Sequence, residues 1–170
     1  PDNRYSAYSR EDIDDGWDTL ELPVEAPATT LTVDTSRTVI SYNQSPDLPF
    51  DRSLNPYRGC EHGCIYCYAR PSHAWLGLSP GLDFETRLFH KPDAAAQLER
   101  ELAAPGYRPA PLVLGANTDP YQPIERRYQI TRQVLKVLHD CQHPLTITTK
   151  SALVLRDLDR ARTLEVAGVL

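Results

Sequence analysis

The chain has 170 residues, enough for one hydrophobic core, and its 41% apolar content is that of a folded protein rather than a disordered one. Its net charge of −5 is unevenly spread: residues 1–30 carry eight acids against Arg4 and Arg10, while the other 140 residues sum to +1. Such a balance is not the basic footprint of a protein that must grip a phosphate backbone, so nucleic acid is a possible partner that charge does not indicate. No apolar run reaches the roughly 20 residues of a membrane span, and no basic-then-apolar signal opens the chain. The expectation is a cytoplasmic protein with no membrane partner. The first residue is Pro and Met is absent throughout, which suggests a processed or truncated chain.

In chain order, residues 1–50 are polar, acidic and punctuated by Pro, and read as an irregular arm with one short strand at "TVISYN", residues 38–43. The body starts near residue 51. "SLNPYRGC" leads into a cysteine cluster, and the Pro- and Gly-dense loop "YARPSHAWLGLSPGLDFE" follows it. "PDAAAQLERELAAPG" predicts a helix opening near Pro92 and Asp93 and stopping at Pro105 and Gly106. The apolar run 112–114 predicts a buried strand ended by Gly115. Apolar groups at Ile124, Tyr128, Val134, Leu135 and Leu138 predict one amphipathic helix from about Pro123 to Asp140. Residues 145–149, "LTITT", predict a further strand. "ALVLRDLDRARTLEVAG" predicts a third helix, and the final "VL" the start of another strand. Alternating β and α units imply a parallel sheet whose functional loops follow the strand C-termini. The cysteine cluster, "NTDPY" (residues 117–121) and "TKS" (residues 149–151) would then gather on one face.

Three of the four cysteines, Cys60, Cys64 and Cys67, lie within eight residues in the spacing Cys-x3-Cys-x2-Cys, with Gly59 and Gly63 allowing a tight loop. A disulfide leaves one thiol over and suits the compartment poorly. A zinc site needs a fourth ligand, for which His62, His73 or Cys141 are available. An iron–sulfur cluster, normally held by four thiolates, would keep one iron free for a small molecule.

The run "CEHGCIYC", with the aromatic Tyr66 just before its third cysteine, resembles the signature of the radical S-adenosylmethionine (radical SAM) superfamily. The wider run "SPDLPFDRSLNPYRGCEHGCIYCYARPSHAWLGLSPGLDFETRLFHKP" and the later blocks "NTDPYQPIERRYQITRQVL" and "TTKSALVLRDLD" are similar to its branch related to spore photoproduct lyase. This likeness covers residues 38–160. It implies an α/β fold: the N-terminal half of a partial (βα)6 TIM-like barrel over residues 51–170, preceded by the irregular arm 1–50, with the C-terminal part of the core missing. It implies that Cys60, Cys64 and Cys67 hold a [4Fe-4S] cluster, with S-adenosylmethionine on the fourth iron. One electron, from a flavodoxin- or ferredoxin-type donor, would cleave S-adenosylmethionine to methionine and a 5′-deoxyadenosyl radical that takes hydrogen from an unnamed substrate. Tyr66 would lie near the adenine, Asn117, Thr118 and Asp119 near the methionine end, and Lys150 would pair with the methionine carboxylate. Each also has a plainer reading: a core aromatic, an Asx-type turn before Pro120, a solvated lysine.

Two departures limit the likeness. Spore photoproduct lyase uses a further cysteine after the cluster motif as hydrogen donor, whereas here none lies between Cys67 and Cys141. Photoproduct repair is therefore not carried over; a DNA-lesion repair lyase stands as an alternative, as does a zinc-stabilised protein without catalysis. The chain also holds only about half the βα units of such a barrel. His62 is a candidate partner for a cluster sulfur or simply a residue of the loop; His73 and Trp75 are candidates for a substrate wall, for which packing of the long loop is the preferred reading. "HDCQH", residues 139–143, reads as a helix end with Cys141 as a spare thiol.

Overall fold

The computed structural model describes residues 28–158. The strands are β1 (Thr30–Val33), β2 (Ile40–Tyr42), β3 (Arg52–Leu54), β4 (Tyr57–Arg58), β5 (Arg87–His90), β6 (Leu112–Leu114) and β7 (Leu145–Ile147). The helices are α1 (Asp83–Thr86), α2 (Ala94–Leu102), α3 (Glu125–Tyr128) and α4 (Ile130–Asp140), with 3-10 helices at Arg70–Leu76 and Ala152–Asp157. They form a mixed α/β structure with two small sheets. One has the order β2-β3-β6-β7, in which β3, β6 and β7 run parallel and β2 is antiparallel to β3. The other has the order β1-β5-β4, with β1 parallel and β4 antiparallel to β5. Neither sheet closes into a barrel among the described residues.

Strands β3 and β6 are buried at every position, as in a parallel sheet covered on both faces. Helix α4 buries Ile130, Val134, Leu135 and Leu138, one stripe at helical spacing, and packs beside α2. With Ala94 and Leu98 of α2, that stripe joins Leu54, Leu112, Leu114 and Ile147 in a single apolar core.

The strands at 112–114 and 145–147 lie where the apolar runs predict them, and β2 lies inside the expected 38–43. Four expectations differ from what is found. Residues 28–50 hold one strand more than expected: β1 adds to one sheet and β2 to the other, and the Glu101 carboxylate accepts the N–H groups of Val39 (2.5 Å) and Ile40 (3.1 Å), while the stretches between are irregular. The remainder of the acidic arm, residues 1–27, lies outside the described residues. The long loop after the cysteines contains a 3-10 helix and α1, and runs on into β5, whose Leu88 and His90 are buried in alternation.

The single helix expected from Pro123 to Asp140 is two, broken at Gln129, whose φ of 51° is left-handed. Such a residue costs about 1–2 kcal/mol. The break lets the Glu125 carboxylate, fully buried, fold over the start of α4 and accept the N–H groups of Thr131 (3.0 Å) and Arg132 (3.2 Å). Glu125 also accepts from the Tyr57 hydroxyl (2.5 Å) and Arg156 (3.0 Å). Finally, the expected helix from residue 152 begins as a 3-10 turn capped by Ser151, and its continuation with the terminal strand lies outside the described residues.

Removing one member of a buried ionic network costs about 3–5 kcal/mol, while exposed pairs contribute little. Glu125→Ala should therefore lower the unfolding free energy by about 3 kcal/mol or more in urea titrations. Lys136→Ala, which breaks only the exposed Lys136–Asp140 pair, should leave it essentially unchanged.

Candidate cofactor site

The cysteine loop leaves β4 through Gly59, whose φ of +76° is left-handed, and a Cβ there would lie 2.6 Å from Leu88 Cδ2 and 2.8 Å from the Phe84 carbonyl oxygen. Glycine is required for both reasons. The Cys60 N–H then donates to the Phe84 carbonyl at 2.8 Å. Three turns follow, each closing on a cysteine carbonyl: Gly63 N–H to Cys60 (3.4 Å), Cys67 N–H to Cys64 (3.2 Å) and Arg70 N–H to Cys67 (3.4 Å). Arg70 Nε also donates to the Cys64 carbonyl (2.9 Å), and its guanidinium pairs with Glu85. All three thiols are free, Cys60 buried and Cys64 and Cys67 half-buried. Burial pushes the Cys60 thiol up to about 11.

Two further loops meet this one. Beyond β6, Gly115 (φ +86°) passes so close to β7 that a Cβ would lie 2.3 Å from the Thr148 carbonyl oxygen. Asp119 follows, 11% exposed at its side chain. Its carboxylate accepts from the Tyr121 N–H (2.8 Å), the Thr149 hydroxyl (2.6 Å) and the Lys150 N–H (3.0 Å). His62 Nε2 of the cysteine loop lies 3.4 Å away, at ion-pair distance but outside hydrogen-bond geometry. Burial opposes ionisation of Asp119, but these donors outweigh it and hold its carboxyl below the usual carboxylate range. Lys150 extends over the cysteine loop, its ammonium 2.6 Å from Cys64 Sγ, and that contact holds it above its usual value.

Together the loops bound an open cavity of about 250 Å³ lined by Cys64, Tyr66, Asn117, Asp119 and Lys150, with Tyr68 and Thr149. It sits beyond the C-terminal ends of β6 and β7, where ligands bind in open α/β sheets. Complete small-molecule pockets are about 300–1,000 Å³, so this one suits one end of a larger ligand. A cavity of about 540 Å³ lies at the other end of the strands, between the β2–β3 loop and residues 110–111. It is larger but has less chemistry: Asn43 spends its amide on Phe50 and Ser45.

Of the residues singled out in the sequence, Thr118 is not at the cavity. It is 2% exposed and its hydroxyl donates to the Tyr57 carbonyl at 2.7 Å. Asn117 faces the cavity and donates weakly to Ser72 (3.3 Å), while Tyr66 is 83% exposed at its rim rather than a core aromatic. His73 packs the long loop, the preferred reading: it is buried, with Nε2 on the Arg87 carbonyl (2.9 Å) and its ring against Phe84. Trp75 is exposed. In "HDCQH", His143 is buried and bonded to Tyr107 (2.7 Å), while Cys141 is exposed at the end of α4. Residues not singled out also build the site. Tyr68 donates to the Ala116 carbonyl (2.5 Å), Asn55 accepts the Asn117 N–H (3.0 Å), and Gln122 reaches the cysteine loop. Their signal was position alone, beside the motif or within "NTDPYQP".

Among the described residues no three His, Cys, Asp or Glu side chains converge as they would on a single metal ion. An iron–sulfur cluster takes its thiolates on separate irons, and the three free thiols on one glycine-hinged loop offer three of the four it normally has.

Relatives of the chain occur in bacteria and in an archaeon. It is 46% identical over 111 residues to uncharacterised proteins of Mycobacterium tuberculosis and Mycobacterium bovis, a match covering 65% of this chain and 33% of theirs. It is 33% identical over 106 residues to an uncharacterised protein of Methanocaldococcus jannaschii, covering 62% of this chain and 38% of that one. The chain thus spans about a third of the length of these curated relatives. No protein-family model matches it, and no solved structure does. Among the described residues no helix is long and apolar enough to cross a membrane.

Because Asp119 ionises more readily folded than unfolded, its contribution to stability is complete above its ordinary pKa of 3.8. It is lost as pH falls through the lower folded value. Asp119→Asn should be less stable at neutral pH and show a shallower acid destabilisation, measured by urea unfolding across the acid range.

Proposed function

We propose that the chain carries the cofactor-binding part of a radical SAM enzyme of the branch related to spore photoproduct lyase, acting on a substrate yet to be identified. The three-parallel-strand sheet would be the start of a TIM-like half barrel. One observation carries the reading: Lys150 and the three-cysteine loop, 86 residues apart at Cys64, meet at one cavity beyond the ends of parallel strands. That meeting supports a reading in which the three thiols hold a [4Fe-4S] cluster and S-adenosylmethionine takes its open iron.

When bound, that pair supplies one-electron cleavage of S-adenosylmethionine and hence hydrogen-atom abstraction. Cys60, Cys64 and Cys67 would hold the cluster. Lys150, placed by the bond from its N–H to Asp119, offers an ammonium to a ligand carboxylate. Asn117 offers an amide, and Tyr66 and Tyr68 offer exposed aromatic faces at the rim of the cavity. Asp119 has three donors from the protein itself, so it aims its neighbours rather than reaching for a ligand. A reducing cytoplasm, which keeps the thiols free, and a one-electron donor of the flavodoxin or ferredoxin type belong to the same reading.

Anaerobic incubation with ferrous iron and sulfide should give thiolate-to-iron charge-transfer absorbance, and reductant with S-adenosylmethionine should then yield 5′-deoxyadenosine. Cys60→Ala, Cys64→Ala and Cys67→Ala should each lose both. Protein that holds only zinc, or iron content indifferent to these substitutions, would sink the proposal.

A further inference from the structure

The three cysteines are not held alike. Gln122, on the turn after β6, is fully buried. Its side chain grips the backbone on both sides of Cys60: Oε1 accepts the Glu61 N–H at 3.1 Å, and Nε2 donates to the Gly59 carbonyl at 3.1 Å. The Cys60 N–H between them is bonded to Phe84. Cys64 and Cys67, by contrast, are tied through turns within their own loop and through Arg70, and are half-buried. The grip needs a side chain offering one donor and one acceptor from the same planar group, which a primary amide supplies. A carboxylate keeps only the acceptor, and an aliphatic chain keeps neither. Gln122 is itself anchored, its N–H toward the Asp119 carbonyl (3.4 Å) and its carbonyl accepting from Glu125 (2.9 Å).

We propose that Gln122 is a positioning residue that holds Cys60 as the pre-set ligand of the three, so that metal loading closes Cys64 and Cys67 onto a thiol already in place. The inference rests on the cluster reading above for its purpose but not for its test. Reaction of each cysteine of the metal-free protein with iodoacetamide, followed site by site by mass spectrometry, reads the placement directly. In Gln122→Leu the Cys60 rate should rise about tenfold, the effect of losing a hydrogen bond on either side of one residue. Cys64 and Cys67 should stay within about twofold of the parent, because their own bonds are untouched. Gln122→Glu, which keeps the acceptor for Glu61, should fall between. Iron retained after anaerobic incubation with ferrous iron and sulfide should decline in the same order.

An unchanged Cys60 rate in the folded variants overturns the role, as do equal rises at all three cysteines with parental circular dichroism. If Gln122→Leu does not fold, Gln122→Glu decides by the same ratio of rates. If the parent retains no iron, the cluster reading fails while the alkylation ratios still decide the part played by Gln122.

Discussion

The carboxylate of Asp119 is bonded to the turn that follows it and to the loop after β7, and it faces His62 of the cysteine loop; the site takes its shape from these contacts. A buried charge is costly unless it is fully met by donors. Here the Tyr121 and Lys150 N–H groups and the Thr149 hydroxyl meet it at 2.6–3.0 Å. Any shift of one loop against the other would strand that charge, so their relative placement follows from electrostatics as much as from packing. The close pass of Gly115 against Thr148 is the steric counterpart, since only a residue without a side chain lets the two strand ends come near enough for Asp119 to span them.

Glu125 does for the scaffold what Asp119 does for the site. It joins Tyr57, at the base of the cysteine loop, to the first turn of α4 and to Arg156 beyond β7. Arg156 and Arg132 in turn meet Asp157, also buried. The apolar core of α2, α4 and the parallel strands supplies the bulk of the burial, but a greasy contact is indifferent to a small slide. The directional bonds of Glu125 fix where along β4 and α4 that contact settles.

What could be read in the residues follows from the range of the interactions that made them legible. Leu112–Leu114 is buried on both faces and bounded by Pro and Gly, so a local pattern suffices. The cysteine spacing is likewise local, and Lys150 was visible through the block that contains it. The break at Gln129 was not, because Ile124 to Leu138 keep an almost unbroken apolar rhythm across it. Its cause is Glu125 turning back, which no periodicity displays. Strands β1 and β5 are short, and β1 pairs with β5, some 57 residues away, a contact that no local pattern displays. Thr118 and Gln122 show the same limit within one motif: both are polar and near the site, yet one hydroxyl is spent on Tyr57 while the unremarked amide bonds Gly59 and Glu61 on either side of Cys60.

The turns of the cysteine loop have a consequence for time as well as for shape. Each cysteine carbonyl already has its N–H partner within the loop, so the backbone around the thiols is ordered by the chain's own bonds. Under the proposed reading, bringing Cys64 and Cys67 to a cluster would take rotation about side-chain bonds, and for Cys64 the release of Lys150. Side-chain rotations are fast beside the remaking of a loop. On that reading, capture would proceed by side-chain rotation on a frame the chain has already set.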